Sequence, residues 1–132
     1  MKLLITGGAG YIGSHFVNKF KNASQEINVV DNFRESDKNI IKSPNIHYHN
    51  VDLRDSDGLR RIFDGDIDAV VHFAALASVP DSVKNPLEYY DNNVVGGLNL
   101  LKIMRENKVK KIIFSCCRDT QRHLRKRFKV VN

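Results

Sequence analysis

Short apolar runs alternate along this chain with stretches in which apolar residues return every three or four positions. Lys2 to Thr6 is a strand-compatible run that stops at a glycine cluster. From Tyr11 to Ala23, Ile12, Phe16 and Phe20 recur every four residues, the spacing that lines side chains along one helix face. Ile27 to Asp31 predicts a second strand, and Ile46 to Asn50 a third, whose His47-Tyr48-His49 segment suits an edge or half-exposed position. Ser56 is placed to cap a helix running to about Asp64, with Leu59, Ile62 and Phe63 inward. Ala69 to Phe73 is apolar almost throughout, as in a strand covered on both faces. After Pro86 the pattern predicts one long helix with Leu87, Tyr90, Val94, Leu98, Leu101 and Met104 at three- and four-residue spacing along it, ended by Lys108 to Lys111; Ile112 to Ser115 makes a fifth strand.

Strands that alternate with helices require crossover connections, and these build a parallel sheet with helices on both faces. The expected architecture is a Rossmann-like doubly wound α/β domain over residues 1–115, with strand order 3-2-1-4-5. Past Cys117 the periodicity stops, so residues 116–132 read as an irregular basic tail that leaves the fifth strand with an open edge, an invitation to aggregation.

Charge sharpens that boundary. The net charge of the 132 residues is +6. Residues 118–132 hold Arg118, Arg122, Arg125, Lys126, Arg127 and Lys129 against Asp119 alone, so the tail carries +5 and the remaining 117 residues +1. The pI of about 9.4 therefore describes a basic tail on a balanced domain. A basic tail could attach to nucleic acid, but this one has a single aromatic, Phe128, and no recognisable nucleic-acid motif, so no nucleic-acid partner is expected. No apolar run approaches the ~20 residues of a spanning helix, and Thr6-Gly7-Gly8 ends the N-terminal apolar stretch too soon for a signal sequence. A cytoplasmic protein without a membrane partner is expected. Cys116 and Cys117 are the only cysteines, and being adjacent they suit two reduced thiols better than a bridge; a zinc site would need ligands this spacing does not offer, and no metal is expected.

The chemistry concentrates in the first βα turn. Gly7, Gly10 and Gly13 form a G-x-x-G-x-x-G run between strand and helix, where a tight bend without Cβ atoms lets backbone amides approach a diphosphate at the helix N-terminus. Taken alone the run is equally a plain strand-to-helix turn. Asp31 ends the second strand 24 residues after Gly7, close to where a carboxylate accepts hydrogen bonds from an adenosine ribose. Its plainer role is a turn residue before Asn32. An acid there favours NAD over NADP, and Arg34 nearby weakens that preference without reversing it.

Thr6-Gly7-Gly8-Ala9-Gly10-Tyr11-Ile12-Gly13-Ser14-His15, Val30-Asp31-Asn32, Asp52-Leu53, His72-Phe73-Ala74-Ala75 and Pro86-Leu87-Glu88-Tyr89-Tyr90-Asp91-Asn92-Asn93-Val94 together resemble the extended short-chain dehydrogenase/reductase family. Within it they are most similar to the nucleotide-sugar 4-epimerases that interconvert UDP-glucose and UDP-galactose. The resemblance covers about residues 1 to 115. It implies NAD as cofactor, with Tyr11 and Ile12 at the diphosphate turn, Asp31 and Asn32 at the adenosine ribose, Asp52 and Leu53 flanking the adenine, Phe73, Ala74 and Ala75 along the cofactor's middle, and Asn92 near the nicotinamide. It also implies a nucleotide-sugar substrate and a homodimer formed through helices that include part of the one after Pro86. Ala77 departs from the pattern, since many of these epimerases carry there a lysine that helps hold the cofactor. His72 is read as a packed core residue without chemistry.

The family's reaction passes a hydride from sugar C4 to NAD and back to the other face, using a tyrosine base and a lysine four residues later. Here the residues four places after Tyr11, Tyr48, Tyr89 and Tyr90 are His15, Asp52, Asn93 and Val94, so no Tyr-x-x-x-Lys is present and no catalytic residue is assigned. Ser115 fits the start of the family's serine-rich segment, but Cys117 falls at its catalytic hydroxyl position. The expectation is an NAD-binding N-terminal portion of a 4-epimerase, inactive alone, its tail the product of a frameshift or premature stop. The alternatives are a non-catalytic NAD-binding module and another nucleotide-sugar epimerase or dehydratase of the family.

Overall fold

In the computed structural model the described residues are 1–36, 40–63, 65–115 and, for the backbone, 128–131. Four parallel pairings join β1 (Lys2–Thr6), β2 (Glu26–Asp31), β3 (Ile46–Asn50), β4 (Ala69–His72) and β5 (Ile112–Ser115) in the order 3-2-1-4-5. Leu3 pairs with Ile27 on one side and Ala69 on the other, and Ile5 with Val29 and Val71, which puts β1 at the centre of the sheet. The pleat then sorts its side chains. Leu4, Val30, Val70 and Ile112 pack on one face with Leu59, Phe63, Leu100, Ile103 and Met104, while Ile5, Val29 and Val71 pack on the other with Val17, Phe16 and Phe20. Helices α2 (Ser56–Ile62) and α5 (Gly96–Glu106) cover the first face, and α1 (Tyr11–Phe20) covers the second. The α/β doubly wound architecture read from the sequence is thus present.

The differences lie in which helix face turns inward and in the edge. On α1 the fully buried positions are Gly13 and Val17, flanked by partly buried Phe16 and Phe20, and Ile12 is turned away at 38% exposure. The segment after Pro86 is three pieces: α4 (Pro86–Tyr90), a π-helical turn at Asp91–Val95, and α5. Its buried line is Gly96, Leu100, Ile103 and Met104; of the residues whose spacing marked the helix in the sequence, Met104 is buried, Leu87 is 82% exposed and Tyr90 67%. Two apolar stripes run along this segment, and periodicity alone does not say which one meets the sheet. Asp55, not Ser56, caps α2, its Oδ1 accepting from the Gly58 amide at 3.0 Å. A short helix the pattern did not predict, α3 (Val79–Lys84), precedes α4.

A sixth strand, β6 (Phe128–Val131), pairs antiparallel with β5, Ser115 opposite Phe128 and Ile112 opposite Val131. The fifth strand therefore does not end the sheet as an open edge. Two adjacent valines suit a strand, and the unpaired amides and carbonyls of β5 supply the partner. The tail thus contains regular structure that its charge concealed. Asp64, Cys116, Cys117 and Arg118 to Arg127 lie outside the described residues. No helix among the described residues is long and apolar enough to cross a membrane.

Candidate functional site

The C-terminal ends of β1, β2 and β4 open into a cleft of about 430 Å³, a size suited to a small organic ligand. It lies where successive connections leave β1 in opposite directions, the switch point at which open α/β sheets bind ligands.

Gly7 and Gly13 shape its floor. Gly7 has φ +69°, and a Cβ on it would sit 2.6 Å from the Ala74 nitrogen; a Cβ on Gly13 would sit 2.1 Å from the Gly7 carbonyl oxygen. Both glycines are required by the chain's own packing before any ligand arrives. Gly10 is different, since a Cβ there would approach only the Gly7 oxygen, at 3.3 Å. Gly10 is the N-cap of α1 and supplies no side chain to the first-turn amides, which have no partner within the helix. Those amides, from Tyr11 onward, are the ones a diphosphate can use.

Asp31 closes the opposite wall. Its Oδ2 accepts from the Ala9 amide at 3.0 Å, and its Oδ1 from the Phe33 amide at 2.9 Å and Ser36 Oγ at 3.3 Å. One carboxylate therefore ties the glycine turn to the loop after β2, with Phe33 at φ 53°. Asp31 is thus the turn residue before Asn32, and it also lines the cleft.

Asn32 and Asp52 form the next part of the wall. Asn32 Nδ2 donates to Asp52 Oδ2 at 2.9 Å, and Arg54 embraces the same carboxylate with Nε at 2.9 Å and Nη2 at 2.8 Å. Hydrogen bonds from Arg54 hold the Asp52 carboxyl well below the usual carboxylate range, against the opposing pull of partial burial. Arg54 Nη1 also donates to Asp91 Oδ2 at 2.9 Å, joining the β3 loop to the π-helical turn. Asn99 of α5 donates to the carbonyls of Leu53 and Arg54, which sets Leu53 against the cleft.

The third wall is the segment after β4. Phe73 continues the strand pairing through its amide to the Thr6 carbonyl at 2.9 Å, and Phe73, Ala74 and Ala75 all line the cleft. Asn93 fixes the peptide just beyond them: its Oδ1 accepts from the Leu76 amide at 2.9 Å and its Nδ2 donates to the Leu76 carbonyl at 3.0 Å. Asn92 donates to the same Asn93 oxygen at 2.9 Å and reaches the cleft beside Ala77, Ser78 and Ser115. Beneath the turn, His72 is buried and shares a 2.6 Å hydrogen bond with Thr6 Oγ1; burial lowers its pKa to about 4, so the ring is neutral. It packs on Phe114 and does not line the cleft, which suits the structural part read for it.

All thirteen residues singled out as cofactor-binding from the sequence line this one cleft. Sequence reasoning passed over Arg54, which pairs with Asp52 two residues before it and with Asp91 37 residues on, over Asn93, whose partner Leu76 lies 17 residues away, and over Glu35 and Ser36 on the loop after β2.

Fold and cleft together define a Rossmann-like domain with a glycine-rich turn at its switch point. Residues 3–119 match the NAD dependent epimerase/dehydratase family, and the chain belongs to that family. It is 47% identical over 120 residues to the bifunctional protein gal10 of Schizosaccharomyces pombe, covering 86% of this chain and 17% of that protein. It is 46% identical over 123 residues to UDP-glucose 4-epimerase 2 of Oryza sativa subsp. japonica, covering 86% of this chain and 30% of that one. Among solved structures, UDP-glucose 4-epimerase from Bifidobacterium longum in complex with NAD+ and UDP superimposes with a TM-score of 0.80 at 40% identity, over 87% of this chain and 36% of that chain. The chain thus spans about a third or less of the length of these relatives.

Proposed function

We propose that residues 1–115 bind NAD and form the N-terminal, cofactor-holding portion of a UDP-glucose 4-epimerase, a cytoplasmic enzyme whose substrate is a nucleotide sugar. The observation that carries this reading is the convergence of the glycine turn, Asp31 and the segment Phe73–Ala75 on one cleft at the switch point. The residues fit the cofactor. The first-turn amides of α1, open beside Gly10, would receive the diphosphate; Asp31 and Asn32 would accept hydrogen bonds from the adenosine ribose hydroxyls; Asp52 and Leu53 would border the adenine and Asn92 the nicotinamide. Bound there, NAD would supply a hydride acceptor for sugar C4 and return the hydride to the other face. Because the 132 residues contain no Tyr-x-x-x-Lys, this chain's own part is to bind and orient, and turnover needs a base from elsewhere. Isothermal titration of the folded chain with NAD and NADH tests the reading. Saturable heat with both is expected, and none with either would overturn it.

The same reading includes a homodimer. Leu87, Tyr90, Val94, Leu98 and Leu101 lie three or four residues apart and are 82%, 67%, 47%, 52% and 50% exposed, an apolar stripe on the side of the helical segment away from the sheet. Pairing this stripe with its copy would cover it isologously. Sedimentation velocity should show a dimer that Leu98→Glu with Leu101→Glu dissociates; a wild-type monomer at hundreds of micromolar would count against it.

A further inference from the structure

The cleft wall at the ribose end holds one cationic side chain among the described residues, Arg34, beside Asp31, Asn32 and Ser36. Its guanidinium does not stand free. Nη1 donates to Glu88 Oε1 of α4, 54 residues away, while the Arg34 amide donates to Asn32 Oδ1 at 3.2 Å. Glu88 is not part of the cleft lining.

We propose that Glu88 sets the preference for NAD over NADP by holding the Arg34 guanidinium away from the adenosine 2′ position; this rests on the NAD-binding reading above. A 2′-phosphate at that position needs a cation, and a guanidinium is the group that grips phosphate through paired hydrogen bonds. Arg34 is three residues beyond the carboxylate that faces the ribose, on the same loop. Left to itself it would offset the repulsion between Asp31 and a 2′-phosphate. Glu88 opposes that compensation in two ways, by engaging the Nη1 donor and by neutralising the charge of the guanidinium. Selectivity then comes from a carboxylate that contacts no part of the cofactor, an unfavourable element directed at the wrong ligand. Arg54 is not available as a substitute, because both Asp52 and Asp91 hold it.

The test titrates NAD and NADP into the full chain and into Glu88→Gln, Glu88→Ala and Glu88→Gln with Arg34→Met. Glu88→Gln and Glu88→Ala should tighten NADP about three- to tenfold, an effect that salt weakens, and leave NAD within about twofold. Adding Arg34→Met should abolish the gain, which a merely structural role for Glu88 does not predict. An unchanged NADP-to-NAD ratio in both single variants, with NAD still bound, would overturn this proposal and leave the cofactor reading standing. A gain that survives Arg34→Met would overturn it as well. A wild-type chain that binds neither dinucleotide would remove both.

Discussion

At Gly7 an added methyl would have to enter the space of the Ala74 backbone and hold φ near +69° without glycine's freedom. Gly7→Ala is therefore expected to lose about 3 kcal/mol or more of stability in urea denaturation. Gly10→Ala, whose Cβ meets only a carbonyl oxygen at 3.3 Å, should cost under about 1 kcal/mol and instead weaken NAD binding measurably. Finding equal stability losses would show that Gly7 and Gly10 serve one purpose. His72 gives a pH signature. Its folded pKa, about 4, lies below its unfolded value near 6.5, so the unfolded chain binds the extra proton between those values. The native state is unaffected above pH 6.5 and loses up to about 3 kcal/mol as pH falls toward 4. Burial lowers His49 as well, so it adds to the loss of stability in acid in the same direction, whereas Asp52 loses its contribution only below the ordinary carboxylate range. The melting temperature of His72→Asn should fall less steeply from pH 6.5 to 4 than that of wild type. At this scale the sequence was generous with the glycines and Asp31, because they sit in a local motif. It was silent on Asn93, Glu88 and the Arg54–Asp91 pair, whose roles arise only when distant segments meet.

Elements were legible in kind more than in orientation. The five parallel strands fall where apolar runs end at turn residues, and the order of strands follows from crossover connections. The segment after Pro86 deceived because apolar residues occupy both of its sides, and because the π-helical turn at Asp91–Val95 changes the residue count per turn midway. That turn carries Asn92 and Asn93 toward the segment after β4. Asn93→Ala removes two hydrogen bonds to one residue's backbone, so the Leu76 amide should exchange hydrogen at least tenfold faster and NAD affinity should drop by about tenfold. Unchanged exchange at Leu76 would show that the clamp does not hold this loop.

For the molecule as a whole, ligand and stability are linked. A cofactor that binds only the folded chain stabilises it by about 2.7 kcal/mol at a hundred times its dissociation constant. NAD should raise the melting temperature by several degrees, and a flat response at millimolar NAD would indicate an unformed cleft. What composition hid at this scale is β6: a run so basic does not advertise a strand, yet its end pairs with β5. That pairing runs against the direction of every other strand in the sheet. The hydrogen-bonding row of β5 is consequently filled by a reversed neighbour, and no other strand can pair with that edge of β5 while β6 occupies it. Any strand added on this side of the sheet would meet the outer edge of β6 instead.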